Sequence, residues 1–145
     1  MNFSTPPKVF IDTNVWFSAF YGSRNAEKLI KAHIEGKIKA VISQQVLEEL
    51  VRNVEKKIPK AKDPLKDLLE AAPPSIIKDS LKISKAVGKW VNIKDQKIFQ
   101  TAVNAKVDIF VTGNIKDFSA ANLEKEFGIK ILSPKKAVNK LGLIS

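Results

Sequence analysis

Short apolar runs alternate along this chain with segments whose apolar residues recur at helical spacing, and this alternation limits its possible folds. Runs rich in β-branched and aromatic residues predict four strands, at 8–11, 39–43, 108–112 and 129–132. Helical spacing is clearest at 44–57, where apolar side chains form one stripe. Strands that alternate with helices favour an α/β domain whose sheet is mainly parallel.

The remaining segments fit one domain of this class. Helical patterns are present at 15–21, 25–35, 44–57, 65–71, 79–89, 95–106, 120–127 and 134–141. Residues 1–7 predict a loose N-terminal arm, and the charged, proline-containing stretch 60–75 predicts an insertion or linker between helices. The whole chain, 1–145, is therefore expected to form a single domain.

The composition excludes several kinds of site. The chain has no cysteine and one histidine, His33, so disulfides, thiolate sites and histidine-rich zinc sites are ruled out. A bound metal must rely on oxygen ligands, which favours Mg²⁺, Mn²⁺ or Ca²⁺. No apolar run approaches the roughly 20 residues that cross a bilayer, and no signal peptide is recognised. A cytoplasmic protein without a membrane partner is therefore expected.

The net charge of the chain is +10, from 25 lysines and arginines against 15 acids. Such an excess attracts polyanions, nucleic acid first, although a lysine-rich solvated surface would give the same count. Only Arg24 and Arg52 are arginines, and arginine is the better residue for fixed recognition of phosphate and bases. The composition therefore favours contact with nucleic acid without readout of its sequence.

Acidic residues follow the predicted strands, at positions where ligands bind in open α/β sheets. Asp12 directly follows the first strand, and the helix after the second strand contains Glu48 and Glu49. Periodicity alone leaves open which glutamate faces inward. Asp117 follows the third strand, whereas Asp108 opens that strand and is expected at the opposite edge of the sheet as a structural acid.

Asp95 begins a helix whose apolar face contains Ile98, Phe99 and Ala102, so its carboxylate shares the inward face. Two interpretations stay open, a site acid and a helix N-cap that the helix dipole favours. Three or four carboxylates in one cleft repel each other unless a divalent cation neutralises them. Such a site suits metal-assisted hydrolysis of phosphodiester bonds, and a basic surface around it would hold the phosphate backbone.

Four short motifs in this order resemble the PIN-domain nuclease family, which includes the VapC-type toxins of toxin–antitoxin pairs. They are Val9-Phe-Ile-Asp12-Thr-Asn14, Ile42-Ser43 followed by Glu49, Asp95 with Ile98 and Ala102, and 108–114 with Asp117-Phe118. The resemblance covers residues 8–141, nearly the whole chain. It implies an α/β/α sandwich with a four- or five-stranded, mainly parallel sheet, and it selects Glu49 rather than Glu48.

The same resemblance implies a homodimeric endoribonuclease that depends on Mg²⁺ or Mn²⁺, with RNA as substrate and an antitoxin protein as a potential partner. The residues that would hold the metal and perform catalysis are Asp12, Glu49, Asp95 and Asp117, with Asn114 as an alternative fourth ligand. Hydrogen bonds that orient these acids are expected from Asn14, Ser43 and Thr112. Nucleic acid would contact basic side chains, namely Arg52, Lys56, Lys94 and Lys116.

Two positions depart from the family pattern. Asn114 stands where the turn after the third strand usually has an acid, and Gln96 stands where relatives often have a second acid after Asp95. These departures support an alternative, a catalytically weak or inactive PIN domain that binds RNA or a partner protein. A metal-dependent phosphatase of another doubly wound fold is a further alternative, but it would need an acid where Asn14 stands.

The remaining conspicuous side chains have structural interpretations. His33 lies on the apolar face of its helix and is expected to be packed there. Trp16, Phe17 and Phe20 have helical spacing, which favours core or dimer contacts over the stacking of bases. The role of Trp90 stays undecided, because it lies in a connection between predicted elements.

Overall fold

The computed structural model describes residues 5–143, and its centre is a parallel sheet of five strands in the order β3-β2-β1-β4-β5. The strands are β1 (Lys8–Ile11), β2 (Lys39–Ser43), β3 (Ser75–Ile77), β4 (Ile109–Val111) and β5 (Lys130–Leu132). The predicted α/β fold with a parallel sheet is confirmed, and every pairing in the sheet is parallel.

Eight α-helices connect or flank these strands in the described part of the chain. They are α1 (Thr13–Ala19), α2 (Arg24–Ile34), α3 (Gln44–Lys57), α4 (Lys62–Ala71), α5 (Lys85–Trp90), α6 (Gln96–Asn104), α7 (Ala120–Phe127) and α8 (Pro134–Lys140). Short 3-10 turns lie at Pro59–Ala61, Ile93–Asp95 and Ile115–Asp117. Two of these turns end in an acid that sequence analysis assigned to the site.

The sheet is covered by helices on both faces. On one side α2 packs against α8 and α1 packs against α2 and α3. On the other side α5 contacts α6 and α7, while α6 contacts β2 and α7 contacts β5. An aromatic cluster fills the second interface, where Phe99 of α6 lies 5.1 Å from Phe110 of β4 between ring centroids. Phe110 also stacks on Phe10 of β1 at 5.2 Å. This packing fixes α6, the helix that Asp95 precedes, against the two central strands.

The strand order creates a switch point between β1 and β4. From β1 the chain proceeds through β2 to β3 on one side, whereas β4 and β5 lie on the other side. Ligands of open α/β sheets bind beyond the carboxyl ends of the strands at such a point. Asp12 follows β1 and Thr112 follows β4, so both lie at this crevice.

Strand β3 was not predicted, and the helix predicted at 79–89 is wrong in its first half. The strand is a short, half-exposed edge strand whose one partner within residues 5–143 is β2, so it lacks the apolar run of a central strand. After it, the backbone N–H groups of Ser80 and Ser84 donate to side chains of α6, to Thr101 at 2.9 Å and Gln100 at 2.9 Å. Because these bonds satisfy the backbone without helical turns, α5 begins only at Lys85, where the Ser84 hydroxyl caps it.

The predicted loose arm is only partly described. Residues 1–4 lie outside the described residues. Pro7 is buried and its carbonyl accepts a hydrogen bond of 2.9 Å from the Lys39 backbone N–H, so the prediction is wrong for that residue. The stretch 60–75 contains α4 and the start of β3, and therefore forms part of the α/β layers rather than an irregular insertion.

His33 is packed inside, as its position in the helical stripe predicts. Its Nδ1 accepts a hydrogen bond of 3.1 Å from the Ala40 N–H, and its Nε2 lies 2.9 Å from the Ala72 carbonyl oxygen. With both nitrogens engaged, the ring joins α2, β2 and the end of α4. This arrangement leaves His33 no free nitrogen for a ligand.

The aromatic residues of α1 belong to the core rather than to an exposed platform. Trp16 is fully buried, and Phe17 and Phe20 are half-buried against the core cluster. Trp90 is half-buried, with the Lys89 ammonium 5.4 Å from its ring centroid. Within residues 5–143 no helix has both the length and the apolar character needed to span a bilayer.

Candidate active site

Asp12 lies at the centre of the candidate site. It directly follows β1 and is buried at the carboxyl edge of the sheet. Its Oδ1 accepts a hydrogen bond of 2.9 Å from the Thr13 N–H, and its Oδ2 accepts one of 3.0 Å from the Thr112 hydroxyl. Two strand ends therefore hold this carboxylate, which orients it without a charged partner.

Glu49 approaches Asp12 from α3. One of its oxygens accepts a hydrogen bond of 2.9 Å from the Thr13 hydroxyl, and the other accepts one of 3.0 Å from the Gln45 side-chain amide. Glu48, by contrast, is exposed and its side chain bonds only to exposed Gln44 at 3.4 Å. The structure thus turns Glu49 inward and Glu48 outward, a choice that periodicity alone left open.

A backbone pairing brings Asp95 and Asp117 together. Val91 forms an antiparallel bridge with Phe118, and the Asn92 N–H donates to the Asp117 carbonyl at 2.8 Å. Each acid ends a short 3-10 turn beside this pairing. The side chain of Asp95 caps no backbone N–H of α6, so the helix N-cap interpretation lacks its defining hydrogen bond.

The four acids influence each other in a row. Burial raises the pKa of Asp12 above its ordinary value, hydrogen bonds from Thr13 and Thr112 lower it, and the negative charge of Glu49 raises it. Burial also raises the pKa of Asp95 to about 6, the charges of Asp12 and Asp117 add to that effect, and the Lys94 charge opposes it. The Asp117 carboxyl is also close enough to share a proton with Asp95, which favours the protonated form of Asp95 further. Asp12 is therefore the acid that links Glu49 on one side with the Asp95–Asp117 pair on the other.

Two carboxylate oxygens in this row are buried without a hydrogen bond, Oδ2 of Asp95 and Oδ2 of Asp117. Lys94 Nζ lies 3.4 Å from Asp117 Oδ2, an ion-pair contact that lacks hydrogen-bond geometry. Since the Lys94 side chain is 64% exposed, water screens much of that attraction. Burying unbonded carboxylate oxygens is costly, and such atoms need an explanation in a native structure.

A hard divalent cation fits the chemistry of these donors, because all four acids offer oxygen and two of the oxygens lack a partner. Within residues 5–143, however, no three acidic or histidine side chains are grouped closely enough to hold one ion in this arrangement. Glu49 is held by Thr13 and Gln45, and Asp12 is held by Thr13 and Thr112. Binding a cation would therefore require Asp95 and Asp117 to approach Asp12 and Glu49, which their hydrogen bonds already hold.

The residues expected to orient the acids divide into different roles. Thr112 donates to Asp12 and also accepts from the Asn114 N–H at 3.1 Å. Ser43 is buried but its hydroxyl accepts from the Val46 N–H at 3.1 Å, so it caps α3 rather than bonding to an acid. Asn14 is exposed, and among the hydrogen bonds of residues 5–143 its side chain makes none to an acid. The predictions of direct bonds from Ser43 and Asn14 are therefore wrong.

Thr13 and Gln45 are the site residues that sequence analysis missed. Thr13 stands next to Asp12, and its N–H and its hydroxyl bond to two different acids. Gln45 precedes Glu49 by four residues on one helix, a spacing at which side chains meet. Both signals were present in the sequence, in the residue that follows the strand-end acid and in the helical neighbour of the glutamate.

The two departures from the family pattern have local explanations. Gln96 points toward α5, where its amide donates to the carbonyls of Gly88 at 3.3 Å and Val91 at 3.0 Å. An acid at that position would face two carbonyl oxygens rather than the other carboxylates. Asn114 bonds through its backbone to Thr112 and Asp117, so Asp117 is the acid that reaches Asp95 from this turn.

The basic residues predicted to contact nucleic acid are spread along the site's surroundings. Lys94 lies at the site beside Asp117, and Lys116 is exposed next to that acid. Arg52 and Lys56 are exposed on α3, and Lys56 lies about 10 Å beyond Glu49 along the helix axis.

Asp108 lies at the opposite edge of the sheet from the site, as the sequence predicts, and its carboxylate accepts a hydrogen bond of 2.8 Å from the Lys8 N–H. Asp108 therefore belongs to the sheet's framework.

Comparison with known proteins identifies the family. A family model described as PIN domain matches residues 8–116, which is more than half of the chain. The chain therefore belongs to the PIN-domain family. The match spans β1 to the turn after β4, and so includes Asp12, Glu49 and Asp95. No curated protein sequence matches the chain.

Solved structures with a similar fold include two complexes. A chain of a toxin–antitoxin complex from Klebsiella pneumoniae is 21% identical with a TM-score of 0.54, and the match covers 77% of this chain and 90% of that one. A chain of VapBC2 from Rickettsia felis, bound to a DNA fragment from their promoter, is 20% identical with a TM-score of 0.59. That match covers 87% of this chain and 98% of the other. At these identities the two comparisons show a shared fold and nothing further.

Proposed function

We propose that this PIN-domain protein is an endoribonuclease that depends on Mg²⁺ or Mn²⁺ and holds the ion with Asp12, Glu49, Asp95 and Asp117. The observation that carries the proposal is the pair of buried, unbonded Oδ2 atoms of Asp95 and Asp117 in a row of four acids. A cation that draws the row together would satisfy those oxygens and offset the burial and the like charges that raise the pKa of Asp95.

The chemistry divides between the ion and the side chains. When bound, a divalent cation lowers the pKa of water and stabilises negative charge on the attacked phosphate. Asp12 is oriented for this task by Thr13 and Thr112, and Glu49 is oriented by Thr13 and Gln45. The acids that lack such bonds, Asp95 and Asp117, can adjust to an ion and a phosphate.

RNA is the proposed substrate because acidic and basic groups occur together at the site. The chain has a net charge of +10, and Lys94 and Lys116 flank Asp117. Lysines bind a phosphate backbone through charge, and such binding weakens steeply as salt rises. Arg52 and Lys56 on α3 extend this basic surface away from the acids. The backbone would therefore run from the site along α3.

Partners follow from the fold relatives. The similar Klebsiella and Rickettsia structures are titled as a toxin–antitoxin complex and as VapBC2 on promoter DNA. We extend this to the present chain as a proposal: it is a VapC-like toxin with a cognate antitoxin, forms a homodimer and acts in the cytoplasm. Copurification with the product of a neighbouring gene, followed by mass determination of the complex, tests the partner and the stoichiometry together.

The activity is tested by the substitution Asp12→Asn. Wild-type protein should cleave single-stranded RNA with Mn²⁺ and lose that activity with a chelator, while the variant should lose cleavage by more than the 10–100-fold typical of residues around metal ligands. Its melting temperature without metal should be unchanged or higher, because a buried charge is removed. Cleavage by the variant at the wild-type rate contradicts the site.

The binding alternative has its own outcome in this experiment. A wild-type protein that binds RNA without cutting it, and that takes up no Mn²⁺ in calorimetry, would be a non-catalytic PIN domain. The absence of three grouped acids within residues 5–143 is the observation that favours this second function. The metal titration therefore separates the two functions before any variant is made.

A further inference from the structure

Glu49 is held by a chain of hydrogen bonds that reaches the edge strand of the sheet. Its oxygen atoms accept from the Thr13 hydroxyl and from the Gln45 amide. The backbone N–H of Gln45 in turn donates to Oδ1 of Asp79 at 3.1 Å. Asp79 lies just after β3, the strand at the edge of the sheet. An acid of the site is thus connected with a loop that no family motif includes.

The bond from Gln45 to Glu49 differs from an ordinary pair on a helix surface. The same helix contains a second pair of the same type and spacing, one residue earlier, in which exposed Gln44 lies 3.4 Å from exposed Glu48. Gln45 and Glu49 are both half-buried, and their bond is shorter at 3.0 Å. Because water competes less at the buried pair, the bond restricts Glu49 more. The exposed pair is a matched control within the molecule.

Asp79 fixes the turn of α3 from which Gln45 projects. The Ser43 hydroxyl accepts from the Val46 N–H, and Asp79 accepts from the Gln45 N–H, so two groups of the first turn that have no partner within the helix are satisfied. A carboxylate near the N-terminus of a helix is also favoured by the helix dipole. Asp79 therefore holds the start of the helix that contains Glu49.

The residue after Asp79 holds the other helix of the site. The Ser80 N–H donates to the Thr101 hydroxyl of α6 at 2.9 Å, and the Asn104 side chain of α6 donates to the Ser80 hydroxyl at 3.1 Å. Adjacent residues of one loop thus bond to α3 and to α6, the helices that present Glu49 and follow Asp95. The loop after β3 therefore sets the separation between these two helices.

We propose that Gln45 and Asp79 are positioning residues that hold Glu49 for metal binding, with the loop after β3 as their anchor. The proposal rests on the proposed function, since it assigns these residues to the same site. Both side chains are assigned an indirect role, which acts through Glu49. Without the Gln45 amide, Glu49 would keep only the bond from Thr13 and would sample more side-chain conformations before binding a cation.

The substitution Gln45→Leu tests the proposal, with Gln44→Leu as its control, because leucine keeps the helix propensity and removes the amide. Mn²⁺ affinity, measured by calorimetry, should fall about 10-fold or more in the first variant and stay within about 2-fold of wild type in the second. The rate at saturating RNA and limiting Mn²⁺ should follow the affinity. Equal Mn²⁺ affinity in the two variants overturns the proposal.

Asp79 provides an independent pair of variants. Asp79→Asn keeps an oxygen that can accept from the Gln45 N–H, whereas Asp79→Ala removes it. Mn²⁺ affinity should be largely retained in the asparagine variant and reduced in the alanine variant. A purely structural role would lower the melting temperature of Asp79→Ala without changing Mn²⁺ affinity in the folded protein, and that result counts against positioning.

A measurement without metal separates this proposal from the proposed function. The ¹H–¹⁵N spectra of wild type and of Glu49→Ala are compared without metal. The side-chain amide signals of Gln45 should differ between the two proteins, while those of Gln44 should coincide. If wild type and all variants fail to bind Mn²⁺, the proposed function is wrong. The shift of the Gln45 signals still reports the hydrogen bond between Gln45 and Glu49 in that case. Unshifted Gln45 signals overturn the positioning role whatever the activity.

Discussion

The two halves of the acidic site differ in how their oxygens are satisfied. In the half formed by Asp12 and Glu49, all four carboxylate oxygens accept a hydrogen bond, from Thr13, Thr112 and Gln45. In the half formed by Asp95 and Asp117, each acid has a buried Oδ2 without one. The half with Asp12 and Glu49 is therefore held in place before any ligand arrives, and we call it the held half. The half with Asp95 and Asp117 has buried oxygen atoms without a hydrogen bond.

The difference shows how buried carboxylates that lack hydrogen-bond donors can favour the binding of a cation. Hydrogen bonds to the ionised form favour a charged carboxylate, as the Thr13 and Thr112 bonds to Asp12 do, whereas burial and neighbouring like charges disfavour it. At Asp12 burial outweighs these bonds, so its pKa is raised as well, and the bonds reduce the size of that effect. The Asp95–Asp117 half lacks those bonds, and the pKa of Asp95 rises to about 6. A cation would supply there what hydroxyl and amide donors supply to the other half.

Changing Glu49 should have the largest effect among tests of the held half. Glu49→Gln removes its charge while Thr13 can still donate to the remaining oxygen, so metal-dependent cleavage should fall by about 100-fold. Glu48→Gln changes the neighbouring exposed residue and should leave cleavage within about 2-fold of wild type. Single-turnover assays with Mn²⁺ make the comparison. If both variants cut at the same rate, the inward assignment of Glu49 is wrong.

Removing the Thr112 hydroxyl should leave one carboxylate oxygen of Asp12 without a hydrogen bond, as in Asp95 and Asp117. Thr112→Val takes away the hydroxyl that donates to Asp12 and accepts from the Asn114 N–H, both at buried or half-buried sites. Stability should fall by about 1–3 kcal/mol, because two polar groups lose their partner. Thr112→Ser keeps the hydroxyl and serves as the control. Urea denaturation of both variants gives the difference, and equal stability would contradict the role of this hydroxyl.

Neutralising the other half should stabilise the metal-free protein, with the smallest effect of the three. The pKa of Asp95 is about 6 in the folded protein against an ordinary value of 3.8. Between about pH 4 and 6 the unfolded chain releases this proton first, so the free energy of unfolding falls as pH rises. Asp95→Asn avoids that loss. Its melting temperature should exceed that of wild type by about 2–4 °C at pH 7.5.

The pH dependence of this difference is the internal control. The advantage of Asp95→Asn should be much smaller at pH 4 than at pH 7.5 and vanish below the ordinary pKa of 3.8, where Asp95 is protonated in both the folded and the unfolded state. Added Mn²⁺ should stabilise wild type more than the variant, because a ligand stabilises the state that binds it. An advantage that is the same at pH 4 and pH 7.5 would show that burial of charge is not its cause.

Some elements of the fold could be predicted from local sequence patterns, and others could not. Central strands β1 and β2 are buried beyond their first residue and contain the apolar runs 9–11 and 40–42, and α3 has a clear apolar stripe, so local patterns suffice for them. Strand β3 is an edge strand with a half-exposed pattern, and its pairing with β2 depends on distant residues. No local pattern marks such a strand.

The same distinction applies within the site. Thr13 and Gln45 lie next to or one helical turn from the acids they hold, and their roles follow from spacing once the acids are known. The meeting of Asp95 with Asp117 depends on the bridge between Val91 and Phe118, which joins segments far apart in sequence. Ser43 was expected to orient an acid, but its hydroxyl caps α3 instead. Gln96 stands where relatives often have an acid, and its side chain bonds to carbonyls at the end of α5.

The central claim is that the unbonded oxygens of Asp95 and Asp117 complete a cation site with Asp12. Crystals grown or soaked in Mn²⁺, with data collected to locate anomalous scattering, test it most directly. We expect an anomalous peak among Asp12, Glu49, Asp95 and Asp117, with Asp95 and Asp117 shifted toward Asp12 and Glu49, and no such peak in Asp12→Asn crystals. A protein saturated with Mn²⁺ that shows no peak among these acids, or shows its peak elsewhere, would contradict the account.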